Sequence, residues 1–284
     1  MLLHILLTNL ITLIYADDTT LIYTQPNTHN LQNNINTELD KVTKWFKSNR
    51  LLINPSKTNY ITLFHRQSNY TNSLDNLFIK IDEVPLNKVK SVKFLGVYIY
   101  YNMQWDTHVN KVTQKVSTCT DILYRLKDSL PPSALLLLYN SFMLSYLNYC
   151  VAVWGNCSRT KLDKLFKLQK KALRICLGCH YPAHSAPLFR KLKSLNIFYL
   201  YYYSIALLGF FYFQNKLPVN IFQIFTLNYQ IHNHNTRFKD SFHLWPVKTN
   251  KVIKSVRHNF PVIWNSIPKD ISNCKSINSF KKKV

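Results

Sequence analysis

Glycine is scarce, with four in 284 residues. That excludes collagen-like repeats, flexible Gly/Ser linkers and Gly-rich phosphate loops. Acidic residues are few as well: 13 Asp plus Glu stand against 36 Lys plus Arg, a net charge of +23. None lies between Lys164 and Lys239. An imbalance of this size calls for an acidic partner, nucleic acid first and an anionic membrane surface second. The chain has no fixed-period repeat and no low-complexity block. The opening run Met1–Ile14 lacks a basic leader and a small-residue cleavage site, and it is too short for a bilayer, so it reads as a buried strand. Leu200–Phe213 is apolar but carries four tyrosines and a serine, which fits a buried helix better than a membrane span. Six cysteines (Cys119, Cys150, Cys157, Cys176, Cys179, Cys274) in a chain of this length do not form the framework of a stapled mini-protein; reduced intracellular thiols are expected. What the chain does have is 47% apolar residues, enough to bury a sizeable core, and room for one large or two modest domains.

Residues 10–24 read as two short strands joined at Ala16-Asp17-Asp18. Leu31, Ile35, Leu39, Val42, Trp45 and Phe46 recur at helical spacing, with Asn27 or Thr28 as the expected N-cap. Leu51–Ile53 and Tyr60–Phe64 look strand-like around Asn54-Pro55-Ser56-Lys57-Thr58, and 66–76 forms a polar loop. Phe78–Ile81 leads through a turn at Asp82-Glu83 towards a further hairpin over Val92–Tyr98. From Trp105 onward helical periods dominate: His108–Lys127, then Pro132–Leu147, then a strongly amphipathic helix at Lys161–Leu177. The texture changes at residues 102–106, which predicts an α+β chain with a strand-rich part, 1–104, and a helical part, 105–284.

Adjacent carboxylates at a hairpin tip repel each other, and a divalent cation offsets that repulsion with hard oxygen ligands. Paired metals held by carboxylates carry out nucleotidyl transfer. A bare Asp-Asp is more often an exposed turn, but Tyr15-Ala16-Asp17-Asp18 between apolar strands resembles the signature hairpin of reverse transcriptases. The series that follows resembles the reverse transcriptases of non-LTR, LINE-type retrotransposons, close to the jockey-like group. It comprises Trp45-Phe46, Asn49-Arg50-Leu51, Asn54, Lys57-Thr58, Phe94-Leu95-Gly96-Val97, Trp105, His108, Leu123–Leu126, Leu138-Tyr139, Tyr149–Gly155, Leu168–Arg174, His234-Asn235-Thr236-Arg237 and Arg257–Pro268.

The resemblance implies a reverse transcriptase palm, an antiparallel sheet with helices, followed by a mainly helical thumb and C-terminal region. It implies RNA-templated DNA synthesis from a primer 3′-hydroxyl, with an RNA template and DNA primer as partners. Asp17 and Asp18 become ligands of catalytic Mg²⁺, with Mn²⁺ as a substitute. Lys57 lies near the triphosphate and protonates the leaving pyrophosphate. Tyr15 and Ala16 border the primer end, and Phe94, Leu95 and Gly96 form the primer-grip hairpin. An intracellular location follows, in a cytoplasmic ribonucleoprotein or the nucleus, with no membrane partner. The family palm also uses a third, earlier aspartate, whereas the first acidic residue here is Asp17. The chain therefore reads as a truncated palm, inactive alone. The alternative is a non-catalytic nucleic-acid-binding remnant or domesticated protein.

Three further features bear on function. Lys161, Lys164, Lys167, Lys170, Lys171 and Arg174 occupy the face opposite Leu162, Leu165, Phe166, Leu173 and Cys176, and without acidic partners nearby they suit a phosphate backbone. Cys176-Leu-Gly-Cys179-His180 with His184 has zinc-like spacing, but one such group is a weak signal. Cys176 reads as a core residue and Gly178 as the helix stop, so zinc is not expected. Tyr199, Tyr201, Tyr202 and Tyr203 read as core residues rather than base-stacking platforms.

Overall fold

The computed structural model describes residues 10–25, 30–63, 77–180, 184–231, 234 and 236–283. The expectations for residues 1–9, Asn27, Thr28, Phe64, the 66–76 loop and Asn235 lie outside them. The chain divides into two compact units, 1–107 and 108–284.

In the first unit, β1 (Leu10–Tyr15) and β2 (Asp18–Tyr23) pair antiparallel, from Leu10 opposite Tyr23 to Tyr15 opposite Asp18. Helix α1 (Leu31–Ser48) buries Leu39 and Val42 along its expected apolar stripe. Its N-cap position is held by Asn30. Asn30 adopts a left-handed backbone (φ 60°) and makes no side-chain cap bond, a conformation asparagine tolerates better than most residues. Leu51–Ile53 forms no strand: Leu51 and Leu52 are exposed, while Ile53 packs into the small core as irregular chain. The strand expected over 60–64 shortens to β3 (Asn59–Tyr60), which pairs parallel with β6 (Asn87–Lys88). Between them, β4 (Lys80–Ile81) and β5 (Val84–Pro85) turn at Asp82 and Glu83, both at positive φ. A last hairpin joins β7 (Ser91–Phe94) to β8 (Val97–Tyr100). Among the described residues the strands form four two-stranded sheets. The small antiparallel sheet that the resemblance implies is met in part: three of these pairs are antiparallel and β3–β6 is parallel, and α1 packs on the β4 segment through Leu39, Ile79 and Ile81.

The second unit is helical. Helix α2 (Asp106–Leu126) buries His108, Val109, Val112, Val116 and Leu123. Pro132 opens α3 (Pro132–Leu138), at the first-turn position where its missing N–H costs nothing. The chain continues as one π-helical stretch, Tyr139–Leu144, into α4 (Ser145–Asn148), followed by α5 (Val151–Trp154). Helices α6 (Arg159–Cys176), α7 (Ser185–Lys191) and α8 (Ile197–Phe213) come next, then α9 (Val256–Ser266) and α10 (Ile277–Lys283), with single-turn helices between.

Helix α8 is apolar on all sides, which suits a central position. Its N-cap Asn196 accepts hydrogen bonds from the amides of Phe198 and Tyr199, both at 3.1 Å. The C-terminal segment closes the core over α8: Phe260 and Phe242 pack on Tyr212 and Phe225, and Trp264 lies against Gly209. Buried Gln169 of α6 ties three segments together. Its Nε2 donates to Tyr139 Oη and to the Leu195 carbonyl, both at 3.0 Å, and its Oε1 accepts from the Ile197 amide at 3.1 Å. Among the described residues no helix is long and apolar enough to cross a membrane, and none of the six cysteines is in a disulfide.

Candidate catalytic turn and nucleic-acid interface

The turn between β1 and β2 contains two residues, Ala16 and Asp17, closed by Tyr15 opposite Asp18. Ala16 takes φ 51°. Positive φ at the first position of a two-residue hairpin turn is ordinarily supplied by glycine. An alanine there carries about 1 kcal/mol of strain, placed in the peptide units that orient the carboxylates. Asp17, Asp18 and Tyr15 are all exposed, Tyr15 at 67%.

Three other acids of this unit are ion-paired, Glu38 with Lys41 (2.8 Å), Asp82 with Lys47 (2.6 Å) and Glu83 with Lys80 (2.6 Å), whereas Asp40 has no ion pair among the described residues. Asp17 and Asp18 have no such partner among the described residues. Two adjacent uncompensated carboxylates on a tip suit a hard cation as part of a larger donor set. They do not fill a two-metal site by themselves, and no group of three His, Cys, Asp or Glu among the described residues could hold a metal ion.

Lys57 ends the single 3₁₀ turn Pro55–Lys57. Asn54 holds that turn: its side chain accepts from Ser56 N (3.1 Å) and Ser56 Oγ (2.6 Å), and its carbonyl accepts from Lys57 N (3.2 Å). The lysine backbone is thus fixed while its side chain is exposed. Phe94 and Val97 close the turn Leu95-Gly96, where φ is 43° and 84°. Positive φ at both positions defines the primed turn that matches strand twist, and Gly96 supplies it without strain. Tyr15–Asp18, Lys57 and Phe94–Gly96 share the first unit but stand on three separate turns.

The basic helix α6 splits its cations. Lys164, Lys167 and Lys171 are exposed and share one stripe. Lys161, Lys170 and Arg174, expected on the same solvent face, are half-buried on its flanks, because their long stems lie along apolar surface. Lys170 Nζ sits 4.5 Å from the Phe166 ring centroid. Cys176 is fully buried, donates to the Leu135 carbonyl (3.5 Å) and has its thiol pushed up to about 11 by burial. It is a core residue, and Gly178 (φ 61°) ends the helix as expected. The tyrosines of α8 divide. Tyr201 is buried, but Tyr199 and Tyr202 are 61% and 53% exposed, against the expectation that all four belong to the core. The role of Gln169 was hidden in the sequence, where it reads as one more polar residue between lysines.

Residues 1–99 match the family model described as reverse transcriptase (RNA-dependent DNA polymerase). Among curated proteins, the chain is 22% identical over 187 residues to "Probable RNA-directed DNA polymerase from transposon X-element" of Drosophila melanogaster, a match covering 65% of this chain and 20% of that protein. The chain thus spans about one fifth of the length of the curated relative it matches. No solved structure matches. Residues 1–99 are thus similar to the reverse transcriptase family, and the 187-residue match is to a polymerase named for a transposon.

Proposed function

We propose that the chain serves RNA-directed DNA synthesis by a non-LTR transposon, with its first unit as the last part of a palm and its second as thumb and C-terminal region. The single observation that carries this reading is the exposed Tyr15-Ala16-Asp17-Asp18 turn, whose two adjacent carboxylates lack ion-pair partners among the described residues. Asp17 and Asp18 contribute oxygen ligands to a Mg²⁺ site, with Mn²⁺ as substitute, completed by groups other than the described ones. When bound, such a metal neutralises charge on the triphosphate. Lys57, a compact point charge on a fixed turn, faces the nucleotide phosphates, and Leu95-Gly96 offers backbone to the primer end. Lys164, Lys167 and Lys171 track the phosphates of an RNA–DNA hybrid.

On this reading the 284-residue chain extends no primer, because two carboxylates do not make up the donor set. Extension of a primed RNA template with Mg²⁺ or Mn²⁺, abolished by Asp17→Asn, would overturn that. Hybrid binding without extension is the expected result, with a steep salt dependence. Replacing the three stripe lysines by Gln should lower the log–log salt slope by about 2. A second reading, binding without any part in catalysis, is favoured by the absence of a three-ligand group among the described residues. Tightening of hybrid binding by Mg²⁺, lost in Asp17→Asn, separates the first reading from the second.

A further inference from the structure

The exposed lysine stripe of α6 leads at its C-terminal end into a pocket of about 480 Å³. The pocket lies wholly in the second unit, between the end of α2, the start of α3 and the end of α6. Its lining includes Tyr124, Lys127, Lys171, Arg174 and His180 together with apolar Pro132 and Leu135. The volume is in the range that holds one small ligand. Two features limit the charge it accepts. Asp128 also lines it, and two helices end beside it, at Leu126 and Cys176, where helix ends carry partial negative charge. The cations are thus partly neutralised, which disfavours a multiply charged anion and suits a group bearing one charge.

A lining that combines apolar, aromatic and cationic side chains with a modest positive balance meets the needs of one nucleotide within a strand: a base, a sugar and a singly charged phosphodiester. We propose that this pocket receives a single unstacked nucleotide of an RNA strand whose flanking phosphates run along Lys164, Lys167 and Lys171. The base lies over Pro132 and Leu135, and Lys127 and Lys171 meet the phosphodiester. This rests on the reading of α6 as a nucleic-acid interface and adds to it a discrete site with a stated ligand.

The test uses Cys179, which lines the pocket and is half-buried, as a reporter, and exposed Cys150 as internal control. Alkylation of each cysteine in the full chain is followed by peptide mass spectrometry with the dinucleoside monophosphate ApA, adenosine or inorganic phosphate. ApA should slow alkylation of Cys179 and leave Cys150 unchanged, and neither adenosine nor phosphate should protect. Cys179→Phe, which fills the pocket without altering a charge, and Lys127→Gln should each weaken a 12-nucleotide single-stranded RNA about tenfold. The pair Lys164→Gln/Lys167→Gln should lower the salt slope yet leave ApA protection intact. Protection by phosphate equal to that by ApA would reduce the pocket to an anion site and overturn the inference, as would the absence of protection by ApA. Loss of the stripe's salt slope effect with ApA protection retained would sink the reading of α6 and leave the pocket standing.

Discussion

Gly209 sits where no side chain fits. A Cβ built on it lies 1.9 Å from Trp264 Cε3, 2.5 Å from Cζ3 and 2.6 Å from Cδ2. The indole cannot swing aside freely. It is 7% exposed and stacks on Phe213 (centroids 5.3 Å apart, 23° between planes) and on Phe280 (6.1 Å, 22°). Two effects of Gly209→Ala oppose each other. A mid-helix alanine gains about 1 kcal/mol over glycine. Overpacking alone costs about 1–3 kcal/mol, and a contact this short displaces a whole indole, whose full removal costs about 3–5 kcal/mol. The contact wins, and a net loss of about 2–3 kcal/mol is expected. Urea unfolding of the full chain, followed by tryptophan fluorescence and far-UV circular dichroism, measures it as a lower midpoint at unchanged slope. The decisive arm is a double-mutant cycle. In a Trp264→Ala background the clash is gone, and Gly209→Ala should be neutral or stabilising by about 1 kcal/mol. If Gly209→Ala leaves wild-type stability unchanged, or costs the same in both backgrounds, the packing argument fails.

Buried His108 packs edge-on against Trp154 at 5.2 Å, and burial, then Lys115, holds its imidazole below the ordinary value of 6.5. The folded state therefore resists protonation. Stability of the second unit is full above pH 6.5 and falls as pH drops below it towards the folded value. Urea midpoints from pH 7.5 down to 5 should decline in the wild type and decline less in His108→Gln; equal slopes would refute the assignment. Gln169→Leu keeps the volume but strands Tyr139 Oη, the Leu195 carbonyl and the Ile197 amide. It should cost about 3 kcal/mol, and a neutral unfolding midpoint would show those groups satisfied by other means.

Features that depend on a few consecutive residues were legible in the sequence. The Ala16-Asp17 and Leu95-Gly96 turns, the start of α3 at Pro132 and the stop at Gly178 each follow from local backbone chemistry. The apolar stripes of α2 and α6 follow from period alone. What failed depended on partners far along the chain. Leu51–Ile53 has strand composition, but no neighbour among the described residues supplies its ladder. Gly209 and Trp264 meet across 55 positions of sequence, and Gln169 gains its role only when Tyr139 and Leu195 close around it. Tyr199 and Tyr202 look like core tyrosines because α8 is apolar on every side; no pattern there says which face is covered. The α6 pocket is of the same kind, since its walls come from three helix ends.

The contrast between the two units bears on how the candidate site works. The carboxylates stand on the element with the least support. Of β1 and β2, Leu10 is buried and Leu21 packs on the small core, while Ile11, Leu13, Ile14 and Ile22 are 40–54% exposed. A two-stranded ribbon is marginal in water, and this one also carries a strained alanine at its tip. Precise placement of metal-binding carboxylates needs a locked supporting shell, and β1 and β2 are paired only with each other among the described residues. The exposed isoleucines and leucines are the surface on which such a shell would pack, at about 25 cal/mol per Å² covered. Covering them would order the turn and assemble the donor set in one step. On the proposed function, metal binding at Asp17 and Asp18 then depends on packing of the ribbon. A charge-neutral change such as Ile14→Ser, remote from the carboxylates in chemistry but not in the ribbon, should then weaken any Mg²⁺-dependent property as much as it weakens the hairpin.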